Sequence, residues 1–125
     1  MTQINNFFFS EIEFCHESFS IYHFPYINNK IEENDRNNHT ISIYGLEENY
    51  NVFYKIYNEI SYCNKKNVKI SCNAYNSREN KFIAYESCYA NSFLMHFAGM
   101  NIILKFVVRN PKYYLAGVPV GALTG

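Results

Sequence analysis

Between Glu11 and Phe24, "EIEFCHESFSIYHF", apolar and polar positions alternate and then change phase. Ile12, Phe14 and His16 share one parity, and Glu11, Glu13, Cys15 and Glu17 the other. Beyond Glu17, Phe19 and Ile21 become the apolar set. A period of two that changes phase predicts a bulged strand, or a tight hairpin around Glu17. Residues 28–39, "NNKIEENDRNNH", are polar apart from Ile31 and read as a loop. "TISIYGL" then reads as a short strand, with Ile41 and Ile43 on one face and Ser42 and Tyr44 on the other. In "EENYNVFYKIYNEISYC" the apolar residues Val52, Phe53, Ile56, Ile60 and Cys63 recur at helical spacing. Glu47 and Glu48 suit the positive end of that helix.

The second half carries four more elements. "NVKISCNAY" alternates Val68, Ile70, Cys72 and Ala74 against Lys69, Ser71, Asn73 and Tyr75. "NSREN" is a polar turn, and "KFIAYES" completes a hairpin. "YANSFLMHFAG" reads as a short helix with Phe93, Leu94 and Phe97 inward and Gly99 as its stop. "NIILKFVV" is a nearly continuous apolar strand that Asn110-Pro111 ends. The resulting order is β-α-β-β-α-β, an α+β, ferredoxin-like core. Three parts follow: an N-terminal strand or hairpin with a polar loop (1–39), the core (40–109) and a small-residue apolar tail (110–125). The N-terminal part is expected to cover the sheet face that the two helices leave free.

Over roughly the central seventy residues this arrangement resembles an RNA-recognition motif. "ISIYGL" (41–46) is similar to the first-strand signature of that family, and "RENKFIAY" (78–85) to the third-strand signature. Arg78, Phe82, Ile83 and Tyr85 fit the pattern. Ser42 stands where the family has a stacking aromatic, and Glu79, Asn80 and Lys81 depart from its glycine and second aromatic. The resemblance implies single-stranded RNA stacked on the sheet, with Phe82, helped by Tyr44, as the remaining platform.

Composition alters this picture only in part. Asn, Ile, Tyr and Phe dominate and Lys outnumbers Arg, the residues of A- and T-rich codons, so an AT-rich genome accounts for the asparagines better than a site does. Charge changes it more. Residues 1–60 hold three bases against nine acids, net −6, while residues 61–125 hold eight bases against two acids, net +6. The bases of the second half are Lys65, Lys66, Lys69, Arg78, Lys81, Lys105, Arg109 and Lys112, and they are the candidate phosphate ligands. The four cysteines, Cys15, Cys63, Cys72 and Cys88, form no C-x-x-C and no zinc-finger spacing, so reduced thiols in a cytoplasmic protein are expected. The apolar stretch "SFLMHFAGMNIILKFVV" carries His96, Asn101 and Lys105, which argues against a membrane span.

Catalytic signatures are missing from the sequence. It has no glycine-rich phosphate loop, G-x-S-x-G or H-E-x-x-H. Cys15 and His16 are neighbours that a strand would point apart. No metal and no small-molecule cofactor are expected. The tail, "KYYLAGVPVGALTG", is small, apolar and nearly uncharged. Tyr113, Tyr114, Leu115, Gly117, Val118, Pro119, Val120, Gly121, Leu123 and Gly125 would suit a confined channel on a larger partner. These features together point to a non-enzymatic factor that binds RNA or a ribonucleoprotein, in its sharpest form a dormancy-type factor that silences a ribosome by plugging it. The alternative is an immunity-type inhibitor whose acidic half faces a basic toxin. A third reading is a small nuclease built on His16, His23 and a lysine.

Overall fold

The alternation visible in short stretches extends through most of the chain. The computed structural model describes residues 9, 11–16, 21–23 and 28–119. Strands β1 (Glu11–Cys15), β2 (Ile21–His23), β3 (Asn28–Asp35) and β4 (Asn38–Leu46) come first. A turn of 3-10 helix (Glu47–Asn49) leads into helix α1 (Tyr50–Lys65). Strands β5 (Ser71–Asn76), β6 (Lys81–Cys88), β7 (Leu94–Ala98), β8 (Asn101–Leu115) and β9 (Val118–Pro119) follow. Every described pairing is antiparallel, in the order β2-β1-β5-β6-β8-β4-β3. β7 and β9 add to further lengths of β8.

The ferredoxin-like core expected over residues 40–109 is not formed. Among the described residues there is one α-helix, and the sheet draws strands from both sides of those limits. The N-terminal strands do not cover a face. They lengthen the sheet, β1 beside β5 and β3 beside β4.

Two segments account for the difference. The first is the "polar loop" 28–39, which forms β3 and opens β4. Its inward positions include Asn29 and His39, polar residues that are nevertheless buried. Asn29 is satisfied there by backbone: its Nδ2 donates to the Phe9 carbonyl at 2.9 Å and its Oδ1 accepts from the Phe9 N–H at 3.3 Å. A satisfied amide occupies an apolar slot without the usual burial penalty, and that hides the strand. The second is 89–99, expected as a helix. It forms a short 3-10 turn (Ala90–Ser92) and then β7. Gly99 (φ 66°) and Met100 form the two-residue turn between Ala98 and Asn101, so Gly99 is the first central residue of a hairpin and not a helix stop.

Elsewhere the periodicities hold. β1 and β2 form the hairpin expected near Glu17, which itself lies outside the described residues. Helix α1 buries Phe53, Ile56, Ile60 and Cys63, as spaced, while Val52 stays exposed. Those residues meet Ile12, Phe14, Ile41, Ile43, Ile83, Leu104 and Phe106 in one core. Burying each large apolar side chain contributes about 1.5–3 kcal/mol. Phe14, Phe93 and Phe106 pack ring on ring within that core.

Gly45 sets how closely the start of α1 approaches β4. A Cβ there would lie 2.8 Å from the Phe53 ring and 3.1 Å from Asn49 Oδ1. Asn49 Oδ1 also accepts from the Leu46 N–H at 2.8 Å, fixing the same corner. Phe53 is fully buried and cannot swing away. Gly45→Ala is therefore expected to cost about 1–3 kcal/mol, read as a lower urea midpoint with an unchanged slope.

A polar pair closes the opposite end of the core. His39 Nδ1 and the Tyr85 hydroxyl share a 2.9 Å hydrogen bond, with their rings edge to face. Burial lowers the His39 pKa, opposed by Glu33 and Asp35. The folded state therefore binds fewer protons at this site than the unfolded chain does. Its contribution to stability is full above about pH 6.5 and is lost as pH falls toward the lowered folded value. His39→Gln keeps a partner for Tyr85 and should flatten the loss of stability between neutral and mildly acidic pH, followed by thermal melts across that window.

Candidate nucleic-acid interface

β8 pairs along both edges, and its outward-facing side chains form the centre of the sheet's outer face. β4 takes one edge over Asn101–Arg109. On the other edge β7 takes Asn101–Lys105, and β6 takes Val108–Leu115. The gap between β7 and β6 falls at Val107. There the Val107 N–H donates to Ser92 Oγ at 2.9 Å and the Val107 carbonyl accepts from the Tyr89 N–H at 2.9 Å. The connection between β6 and β7 thus satisfies the strand where the ladder is interrupted.

The strand does not end at Asn110-Pro111 as expected. It bends there. Asn110 adopts φ 56°, its N–H donates to the Asn37 carbonyl at 2.8 Å, and its side-chain amide donates to Glu86 Oε1. Pro111 needs no ladder donor, and pairing resumes through Leu115. The bend shifts the phase, so that Arg109 and Lys112 both face out around Glu86. The Glu86 carboxyl is held below its ordinary pKa by the Asn110 amide first, then by Lys69, with Arg109 and Lys112 adding to the effect. Three cations from two parts of the chain therefore act electrostatically on one carboxylate, none of them close enough to form an ion pair with it. The Arg109 guanidinium lies 5.5 Å from the centre of the Tyr89 ring. Lys105 is exposed farther along the same face of β8.

The other sequence-predicted bases lie elsewhere. Lys65 and Lys66 are at the end of α1, where Lys66 Nζ sits 5.8 Å from the Tyr62 ring. Arg78 and Lys81 belong to the β5–β6 hairpin, and Lys81 pairs with Glu79 at 2.7 Å. Of the eight, then, Lys69, Arg109 and Lys112 act together on Glu86, while Lys81 and Arg78 act on Glu79. Tyr89, Glu86 and Asn110 were not singled out from sequence. The Asn110-Pro111 step is the one available sign, and in sequence it reads as a strand end rather than a bend.

The two expected stacking residues do not share a platform. Tyr44 is opposite Ile103, and Phe82 is opposite Tyr114, eleven positions farther along β8. The strands carrying the two signature-like segments are separated by β8. Phe82 also already uses its ring faces. It stacks on Tyr114 at 4.5 Å and 4° and meets Tyr75 at 5.1 Å. The Tyr75 hydroxyl donates to Glu13 Oε1 at 3.0 Å, and Asn73 Nδ2 donates to the same oxygen at 2.9 Å. Burial and then this contact with Glu13 push the Tyr75 hydroxyl up to about 12.

The tail is likewise held in part. Tyr113, Tyr114 and Leu115 pair with Ile83, Phe82 and Lys81, and Val118-Pro119 fold back on β8 through Ala116-Gly117. They are strand, not a free plug. Val120, Gly121, Leu123 and Gly125 lie outside the described residues. The acidic half does not form one face either: Glu11 and Glu13 are on β1, Glu32 and Glu33 on β3, toward opposite edges of the sheet. For the nuclease reading, the β1–β2 register puts His23 opposite Glu11, with His16 five positions beyond. Among the described residues no group of three His, Cys, Asp or Glu side chains is placed to hold a metal, and no helix is long and apolar enough to cross a membrane.

Compared with known proteins, the chain matches no family model, no curated protein and no solved structure.

Glu86 competes with any external anion for the three cations. Glu86→Gln keeps the hydrogen bond from Asn110 and removes one negative charge. It should tighten binding of a single-stranded polyuridylate several-fold at low salt, measured by fluorescence anisotropy.

Proposed function

We propose that this protein is a non-enzymatic factor that docks on RNA, or on an RNA-protein particle, through phosphate contacts from Lys69, Arg109 and Lys112. The observation that carries this reading is that those three cations all act on the one exposed carboxylate of Glu86, with Arg109 seated against Tyr89. Arg109 offers a planar fork suited to phosphate oxygens, and the two lysines act as mobile point charges. Because Phe82 stacks on Tyr114 and meets Tyr75 at a tilt, the recognition proposed is of backbone charge and shape rather than of unstacked bases. A ribosome is the partner that best suits this mode, since it presents dense, rigid phosphate. In the silencing form of the proposal, the inserted element shrinks to Val120–Gly125, which follow the β8–β9 hairpin in sequence.

Replacing Lys69, Arg109 and Lys112 together by Ala should weaken binding to polyuridylate and to purified ribosomes. It should also lower the slope of log K against log salt by about 2, at roughly 0.7 per lost contact on a single strand. A slope that stays unchanged would sink the phosphate-docking proposal. Truncation after Pro119 tests the silencing form separately. It should leave ribosome binding intact while relieving inhibition in a translation extract. Full inhibition by the truncated chain would remove the plug and leave the docking reading standing.

A further inference from the structure

A second surface lies at the other end of α1. The 3-10 turn Glu47–Asn49, the first turn of α1 and the tip of the β7–β8 hairpin enclose an open groove of about 590 Å³. Tyr50, Phe97, Met100 and Ile102 supply its apolar wall, and Glu47 and Glu48 its rim. Phe97 is 61% exposed and Met100 76%, and Leu46 beside the rim is also exposed. Tyr50 stacks on Phe97 at 5.9 Å and on Tyr54 at 5.4 Å, so the wall is built of rings locked against each other. Large apolar side chains exposed this far, and gathered at one end of the molecule, mark an interaction site rather than scattered surface. Charge restricts the occupant. The rim carries two carboxylates with no ion-pair partner among the described residues, and no basic side chain lines the groove.

We infer that this groove docks a protein segment that places a lysine or arginine next to a leucine-like side chain. The apolar group seats on Phe97 and Met100 while the cation meets Glu47 and Glu48. A nucleic acid is disfavoured here by the same two carboxylates. The inference is independent of the nucleic-acid reading, since none of the three cations on the outer face takes part.

The test uses the full chain labelled with nitrogen-15 and three synthetic peptides. One is an amphipathic peptide of leucine and lysine, the second replaces lysine by glutamate, and the third replaces leucine by serine. The leucine-lysine peptide should shift the amide signals of Phe97, Gly99 and Met100. The other two peptides should bind at least tenfold more weakly. Glu47→Gln with Glu48→Gln should weaken the first peptide by about tenfold, and so should Met100→Ser. These positions are exposed, so the variants should melt as the parent does, and a melt of each variant checks this. No shift up to about 1 mM peptide, where binding is worth only about 4 kcal/mol, would overturn the inference. So would equal binding of the serine peptide, or affinity that ignores the carboxylates. Self-association of the free chain that disappears in Met100→Ser would assign the groove to a second copy and equally overturn it.

Discussion

Both edges of a single fifteen-residue strand must be satisfied, and the rest of the molecule is arranged around that requirement. At about 3.3 Å per residue, β8 runs roughly 50 Å, more than one neighbour of ordinary length can cover. Four strands share the work: β4 and β9 in long antiparallel or hairpin register along one edge, β7 and β6 in succession along the other, with Tyr89 and Ser92 bridging the gap between them. A strand this long also twists, and a straight ladder would carry its two ends out of reach of one core. The bend at Asn110 answers this. It turns the last residues of β8 along β6, exchanges a ladder bond for the Asn37 carbonyl, and shifts the phase so that Val108 and Tyr113 both pack inward. Burial raises the Tyr113 hydroxyl to about 12, with Glu33 adding to it, as expected for a phenol drawn toward the core.

The same bend creates the basic cluster. In an unbroken strand Arg109 and Lys112, three apart, would face opposite sides. The phase shift brings them to one side, and Asn110 holds Glu86 between them. The aromatic ladder Tyr75–Phe82–Tyr114 lies on adjoining strands at matched register. Cross-strand pairs of this kind stabilise a sheet by about 0.2–1 kcal/mol each. Their rings are committed to holding β5, β6 and β8 in register, which is why the outer face offers charge and not a stacking platform.

What the sequence made legible was local and periodic. The alternation in Ile70, Cys72 and Ala74, and the helical spacing of Phe53, Ile56 and Ile60, each report a face buried by apolar side chains, and each face is where the pattern put it. What failed was of two kinds. Asn29 and His39 occupy core positions with polar side chains whose partners, Phe9 and Tyr85, are 20 and 46 residues away. No local window contains that information. Phe93 and Phe97 fit a helix as well as a strand, since their spacing of four suits both periods. The choice was made by β8, whose free edge over Asn101–Lys105 needed a partner. The basic cluster was legible as a list of cations but not as a place, because its geometry depends on the bend and on Lys69 arriving from the start of β5.

The charge totals acquire a spatial meaning from this topology. A net charge of zero would ordinarily predict weak long-range steering. Here the described acids of the first half lie on β1 and β3, toward the two sides of the sheet, at the start of α1, and at Glu59 within it. The cations of β8 run through the middle of the outer face. On the docking proposed above, an approaching polyanion would meet these cations with the acids of β1 to one side, while on β3 Lys30 offsets Glu32 at 3.5 Å. Such an arrangement attracts at contact range and repels when misaligned, and the Debye length of about 8 Å at physiological salt confines both effects to the last stage of docking. Orientation, more than affinity at a distance, is what a neutral chain with this layout can supply. For the docking proposed above, that favours a rigid partner with fixed phosphate positions over a flexible strand, because only a rigid partner can be held in one orientation by a few fixed cations.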